Sequence, residues 1–249
     1  MAVMYPSELP EQVRLDPARR AEAFVYDRLA TLPEAYHVFY SVKWQANSRR
    51  GIPRDGEADF VLAHPALGVL VLEVKGGAVE YHGYQERWVS VDSRGRPRRG
   101  AADPVEQARE SCHALLGIFC AQPDWDHRWL RCGYALAFPD IRLNDGQRLP
   151  PCSPAPLLLD ATAFDALQPA IERAFGHWKG EDDPGALGED RLAVVQALLD
   201  GWVVLPEAWS HQAIEARLLQ LTEQQLFVLD LLRCQRRALI AGCAGSGKT

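Results

Sequence analysis

The 249-residue sequence has no uninterrupted apolar segment near the roughly 20 residues that span a bilayer. Its N-terminus, MAVMYPSELPEQVRLD, lacks the basic-then-apolar layout of a signal peptide. Secretion and membrane insertion are therefore not expected, and the expected location is the cytoplasm. Internal repeats and low-complexity tracts are also missing. Six cysteines (Cys112, Cys120, Cys132, Cys152, Cys234 and Cys243) offer no C-x-x-C pair and no zinc-ligand spacing with the seven histidines, so they read as reduced thiols. Excess positive charge is lacking too. A net charge of −6 argues against sequence-independent nucleic-acid binding through the whole surface, and such a partner would need a local basic patch.

A hydrophobic content of 47% suffices to bury a core, in one large or two small domains. The most informative stretch runs from Gly56 to Gly77, GEADFVLAHPALGVLVLEVKGG. Ala58 to His64 and Val69 to Val74 are apolar, β-branched runs separated by Pro65, Ala66, Leu67 and Gly68, the pattern of a hairpin. A loop centred on Ala66 sets Asp59 opposite Glu73, with Cβ atoms about 5 Å apart. Period-2 alternation then puts Glu73 and Lys75 on the face of Asp59.

Two carboxylates so close repel, and one takes up a proton unless a cation sits between them. A divalent, oxygen-preferring ion such as Mg²⁺ or Mn²⁺ removes the conflict and can activate a water against a phosphodiester. Lys75 would orient or deprotonate that water, or stabilise developing charge. An acid and a lysine two apart on a strand are ordinarily a solvated face, especially where 24% of residues are charged. Here Val69, Leu70, Val71, Leu72 and Val74 make both faces of the strand apolar, and charges at the end of a buried strand are costly without a partner.

Two further residues sit near helix starts. Glu22 lies in DPARRAEAFVYDRL, where Asp16 fits an N-cap, Pro17 the first turn, and Phe24, Val25 and Leu29 an apolar stripe. Gln107 follows Asp103 as N-cap, Pro104 at the first position and Glu106 three after the cap, as in a capping box. Basic patches occur at Arg49, Arg50 and Arg54 before the acidic motif, and at Arg94, Arg96, Arg98 and Arg99 beyond the expected strand Trp88 to Val91. Both flank the acidic motif, as phosphate-gripping loops would; ordinary solubilising charge is the alternative.

The order of a helical glutamate, G-E-x-D, a strand bearing E-V-K-G-G, and D-P-x-x-Q opening a helix resembles the NERD (nuclease-related) domain of the PD-(D/E)xK nuclease superfamily. The resemblance covers roughly residues 10–135. It implies metal ligands at Asp59 and Glu73 and a catalytic lysine at Lys75, with weaker roles for Glu22 and Gln107. The family usually presents Gly-Glu on the first helix, whereas Ala21 precedes Glu22 here.

Gly242 to Thr249, GCAGSGKT, is a complete P-loop pattern preceded by the apolar Ala238 to Ala241. Backbone N–H groups around Gly242, Gly245, Ser246 and Gly247 would cradle nucleotide phosphates, Lys248 would reach the β- and γ-phosphates, and Thr249 would ligate Mg²⁺. The preceding LTEQQLFVLDLL resembles the adenine-contacting Q-motif of UvrD/Rep-type superfamily 1 DNA helicases, with Gln225 as the implied contact; a core helix N-capped at Thr222 explains it equally well. A chain stopping at Thr249 is expected not to hydrolyse ATP by itself. The simplest expectation is the front of a longer nuclease–helicase fusion, with ATP bound only by the full-length helicase.

Further strands are expected at Tyr134 to Phe138 and Leu157 to Leu159, helices at Asp165 to Phe175 and Arg191 to Leu199, and an exposed acidic loop between those helices. Trp178, Trp202 and Trp209 would pack this part against the rest. The expected organisation is a nuclease-like domain at 10–135, an accessory α/β segment at 136–209 and an incomplete helicase start at 210–249. The expected fold is α/β, a mixed central sheet flanked by helices with a restriction-endonuclease-like PD-(D/E)xK site at the sheet edge, then a partial P-loop segment. The leading functional expectation is a metal-dependent DNA nuclease. The alternatives are a degenerate module that binds nucleic acid or positions the helicase, and an ATP-binding module with an N-terminal protein-interaction domain.

Overall fold

The computed structural model describes residues 1–47, 53–91, 102–125, 130–144, 146, 148–180 and 185–200. Its strands are β1 (Val3–Tyr5), β2 (His37–Asn47), β3 (Pro53–His64), β4 (Gly68–Val74), β5 (Ala78–His82), β6 (Arg87–Val91), β7 (Cys132–Phe138) and β8 (Leu158–Asp160). The helices are α1 (Glu11–Leu15), α2 (Arg20–Leu29), α3 (Pro104–Cys120), α4 (Leu167–His177) and α5 (Gly188–Leu199). The chain divides into two units, Met1–Gly201 and Trp202–Thr249, and the described residues belong to the first.

The hairpin read from the sequence is the centre of the sheet. β3 and β4 pair antiparallel with Phe60 opposite Leu72 and His64 opposite Gly68, which centres the turn on Ala66. Gly68 is left-handed at φ +105°, and a Cβ there would run into the Arg131 carbonyl, so only glycine closes this turn without strain. All seven residues of β4 are buried, as its two apolar faces require.

Six strands lie in the order β1-β2-β3-β4-β7-β8, antiparallel for β2–β3–β4 and parallel elsewhere; β5 and β6 form a separate ribbon. One face carries α2 and α4, where Val25, Leu29, Ile171 and Phe175 pack on Phe60, Leu62, Leu70 and Leu72. The other carries α3 and α5, where Leu115, Phe119, Leu192 and Val195 pack on Val61, Ala63, Val69 and Val71. The alternation of β3 and β4 thus sorts their side chains between two cores. β8 joins that sheet, and α4 and α5 pack in its two cores, with the elements before them.

Several expectations need correcting. The acidic motif does not lie at the sheet edge: β3 and β4 are the third and fourth of six strands, because β7 and β8 add beyond β4 after the α3 crossover. β2 and β1 were not anticipated. The Asp103 carboxylate does accept from the Val105 N–H at 3.0 Å, but the capping box is not completed. Glu106 turns instead to Arg109 at 2.6 Å, a guanidinium one turn along outcompeting a neutral backbone amide. Asp16 caps a 3₁₀ turn, Pro17–Arg19, that leads into α2. Trp178 donates its indole N–H to the Tyr134 carbonyl at 2.9 Å, tying the end of α4 to β7.

Arg49, Arg50, Arg94, Arg96, Arg98, Arg99, Trp202, Trp209, Gln225 and the P-loop residues Gly242, Gly245, Ser246, Gly247, Lys248 and Thr249 lie outside the described residues. Among the described residues no helix is long and apolar enough to cross a membrane.

Candidate active site

Asp59 lies where β3 parts from both neighbours. Its ladder with β4 begins at Phe60–Leu72, and the ladder with β2 passes from Tyr40–Phe60 to Val42–Ala58, skipping the Ser41–Asp59 pair. Ser41 has a left-handed backbone, φ +56°, in the middle of a strand. The pleat reverses there. Val38, Tyr40, Phe60 and Leu62 sit in the α2-side core, whereas Val42, Trp44 and Ala58 sit in the α3-side core. Asp59 is at the reversal, its carboxylate turned to β4, where Oδ2 accepts from the Val74 N–H at 2.7 Å.

Glu73 is 1% exposed, next to Val74 on the same strand. One of its oxygens, Oε1, accepts from Lys75 Nζ at 2.7 Å; the other, Oε2, is buried without a hydrogen-bond partner. Period 2 thus holds for Glu73 and Lys75, which meet on one side of β4. Burial, then the Glu73 charge, pushes the Asp59 carboxyl up to about 8, against the pull of the Val74 N–H and Lys75. Burial pushes Glu73 up as well, and Lys75 only partly offsets it. One lysine does not balance two dehydrated carboxylates.

The remaining sequence candidates lie on β4, α3, α2 and β3. The Lys75 N–H donates to the Ala137 carbonyl at 2.9 Å, fixing the end of β4 on β7. Gln107 is one turn before Ser111 on α3, so both face the sheet, and its Oε1 is buried with no hydrogen-bond partner. Glu22 reaches the site from α2 as charge: it raises both Asp59 and Glu73, while its Oε2 accepts from the Tyr40 hydroxyl at 2.6 Å.

Three residues here were not singled out from the sequence. Glu57 acts on Glu73 electrostatically and accepts from the Ser41 hydroxyl at 2.5 Å; Tyr40 holds Glu22. The signal for Glu57 was its place two residues before Asp59, inside the G-E-x-D motif. Tyr40 and Ser41 gave no sequence signal, being distant in the chain from everything they hold.

The glycine of that motif has a packing reason. Gly56 is opposite Trp44, and a Cβ at 56 would run into the indole ring. Lying flat there, Trp44 donates to Ser111 Oγ at 2.9 Å, and Ser111 reaches the Glu57 carbonyl at 3.4 Å, so α3 is pinned to β3 beside the site. Gly56→Ala is expected to destabilise the protein by about 1–3 kcal/mol, the usual cost of overpacking. Urea unfolding checks this, and an unchanged midpoint would mean that the ring moves freely.

Arg54 is the one proposed phosphate contact among the described residues. It pairs with Glu110 at 3.0 Å on the rim of an open groove of about 700 Å³ floored by Trp44 and Ala46, where Arg109 pairs with Glu106. The groove is therefore nearly balanced in charge rather than basic.

A metal ion fits the donor chemistry of Asp59 and Glu73. Hard divalent cations prefer carboxylate oxygens, and the orphaned Glu73 Oε2 is a buried acceptor of that kind. Among the described residues no group of three or more His, Cys, Asp or Glu is placed to hold an ion, so water would complete the coordination. In comparisons with known proteins, the chain matches no family model, no curated protein and no solved structure.

Proposed function

We propose that this chain is a metal-dependent DNA nuclease module of the PD-(D/E)xK type, related to NERD domains, and the front of a nuclease–helicase fusion in DNA processing, repair or defence. The observation that carries this reading is the Asp59–Glu73 pair: a buried carboxylate, Glu73, and a partly buried one, Asp59, both pushed toward protonation, with the Glu73 Oε2 lacking a hydrogen-bond partner among the described residues. Such a pair is costly unless a cation is part of the working state. The P-loop pattern of Gly242 to Thr249 supports the helicase part and its ATP.

Asp59 and Glu73 would hold Mg²⁺ or Mn²⁺. Bound there, the ion would polarise the scissile phosphate and lower the pKa of a water. Lys75, 22% exposed at its side chain, is long and mobile enough to leave Glu73 Oε1 and orient that water or stabilise the charge developing on phosphate. Gln107 would accept from a water with its unpartnered amide oxygen, or donate to a phosphate oxygen through its amide NH₂, and Glu22 would add negative potential from α2.

The second reading, a non-cleaving nucleic-acid-binding module, is favoured by the contact of Lys75 with Glu73 Oε1, which lets a lysine stand partly in place of an ion. Cleavage assays separate the two. Labelled single- and double-stranded DNA is expected to be cut with Mn²⁺ or Mg²⁺ and left intact in EDTA. Lys75→Ala is expected to lower turnover by about 10²–10⁴-fold while metal binding is largely retained. DNA bound but uncut under every metal condition would establish the non-cleaving module, and a fully active Lys75→Ala would remove the lysine from the mechanism.

A further inference from the structure

Two thiols meet in the α3-side core. Cys112 continues the apolar stripe that α3 forms with Leu115 and Phe119, and is 4% exposed. Cys132 opens β7 beside Val69, and parallel pairing turns its side chain with that of Val69 toward α3. Their Sγ atoms stand 3.2 Å apart, and Cys132 Sγ also lies 3.8 Å from the Cys112 carbonyl oxygen.

Both sulfurs ride on regular structure. Cys112 is in the middle of a 17-residue helix, and β7 is tied to β4 at its start, where the Val69 N–H donates to the Arg131 carbonyl at 2.9 Å. The contact is thus set by two packed elements rather than by a loop. A disulfide needs the sulfurs about 2.05 Å apart, a closure of about 1 Å that small side-chain rotations supply. Both thiols are free in the fold described, and among the described residues no group of three or more His, Cys, Asp or Glu is placed to hold a metal.

We propose that Cys112 and Cys132 are a modification site, where a peroxide converts the two thiols into a disulfide that locks α3 onto β7. One sulfur attacks a peroxide oxygen, the O–O bond breaks, and a sulfenic acid forms with release of water. The second sulfur then attacks the first; the S–S bond forms, the S–O bond breaks, and a second water leaves. Two electrons pass from the sulfurs to the peroxide, and both thiol protons depart in the waters. The hydrogen bond with Cys112, then burial, holds the Cys132 thiol well above its ordinary range, so thiolate is scarce at neutral pH and the bond forms under sustained oxidant.

The crosslink would join two elements that border the candidate site. α3 carries Gln107 and Ser111, and β7 fixes the end of β4 through the Lys75 N–H. The proposal itself does not depend on the nuclease reading.

The test is treatment of the whole chain with hydrogen peroxide, alkylation of the remaining thiols in denaturant, and tryptic mass mapping. Parent, Cys112→Ser, Cys132→Ser and Cys120→Ser are compared. The parent is expected to yield peptides linked through Cys112 and Cys132 that separate on reduction. Cys120 falls in the same tryptic peptide as Cys112, so Cys120→Ser is expected to keep the link, and the other two variants to lose it. Closing a loop of about 20 residues is expected to raise the thermal midpoint of the oxidised parent by about 6–12 °C over the reduced parent, and Cys112→Ser is expected to show no such rise. Alkylation of both cysteines after peroxide, their conversion to sulfinic acids, or a link to any other cysteine would overturn the proposal. A Cys112–Cys132 link that leaves the midpoint unmoved would overturn the lock. If a serine variant does not fold, the map and midpoint of the parent decide.

Discussion

Glu73→Ala is expected to reduce Mn²⁺-dependent DNA cleavage to less than about one-thousandth of the parent rate, a loss of roughly 4 kcal/mol of transition-state stabilisation. Glu73 supplies the buried oxygen that has no protein partner, and it places Lys75 at 2.7 Å. Its removal takes away a proposed metal ligand and frees the lysine in one step. The fold is expected to survive, because the packing of Val69, Leu70, Val71 and Leu72 in two cores does not involve the carboxylate. Near-parental circular dichroism with lost cleavage and lost Mn²⁺ binding is the expected outcome. Cleavage within about ten-fold of the parent would place the chemistry elsewhere in the chain.

Asp59→Asn is expected to flatten a steep pH dependence of stability in the metal-free protein. Folded, Asp59 keeps its proton up to about 8; the ordinary carboxylate value is 3.8. Between those values the folded state binds more protons than the unfolded state, so stability falls as pH rises through that window. The loss between about pH 5 and about pH 8 is expected to be roughly 3 kcal/mol, less to the extent that water reaches the carboxylate. Asparagine keeps an oxygen for the Val74 N–H but cannot ionise, so its profile should lose the Asp59 share of the slope and keep that of Glu73, whose carboxyl is also raised by burial. A divalent ion should restore the parent at about pH 8 and leave the variant unchanged. Urea unfolding in EDTA at both pH values measures the effect, and parallel profiles for parent and variant would show that Asp59 is ionised in the fold like any surface acid.

These results would bear on parts of the molecule that differ in how plainly the sequence announces them. The central hairpin, its turn and its register follow from local chemistry: alternating β-branched residues, a Pro-Ala-Leu-Gly loop, and a glycine that alone tolerates the left-handed turn. The start of α3 was equally plain, since Asp103 and Pro104 act within one turn of the chain. Placing the acidic motif at an edge was wrong because strand order depends on pairings across long separations, here β4 with β7 through the α3 crossover. No local pattern encodes such a pairing.

β2 shows the same limit within one strand. Val38, Tyr40, Val42, Trp44 and Ala46 alternate perfectly, and an unbroken pleat would put all five on one face. In the fold Val38 and Tyr40 go to one core and Val42 and Trp44 to the other, because the backbone at Ser41 turns left-handed. The sequence by itself determined the pairing of Asp59, Glu73 and Lys75, since residues on one hairpin are brought together by its turn. Only the tertiary structure decided what holds Glu22 and Glu57: the hydroxyls of Tyr40 and Ser41 reach them through packing of α2 and β2 on the hairpin, and contacts between distant segments are set by the cores those segments share.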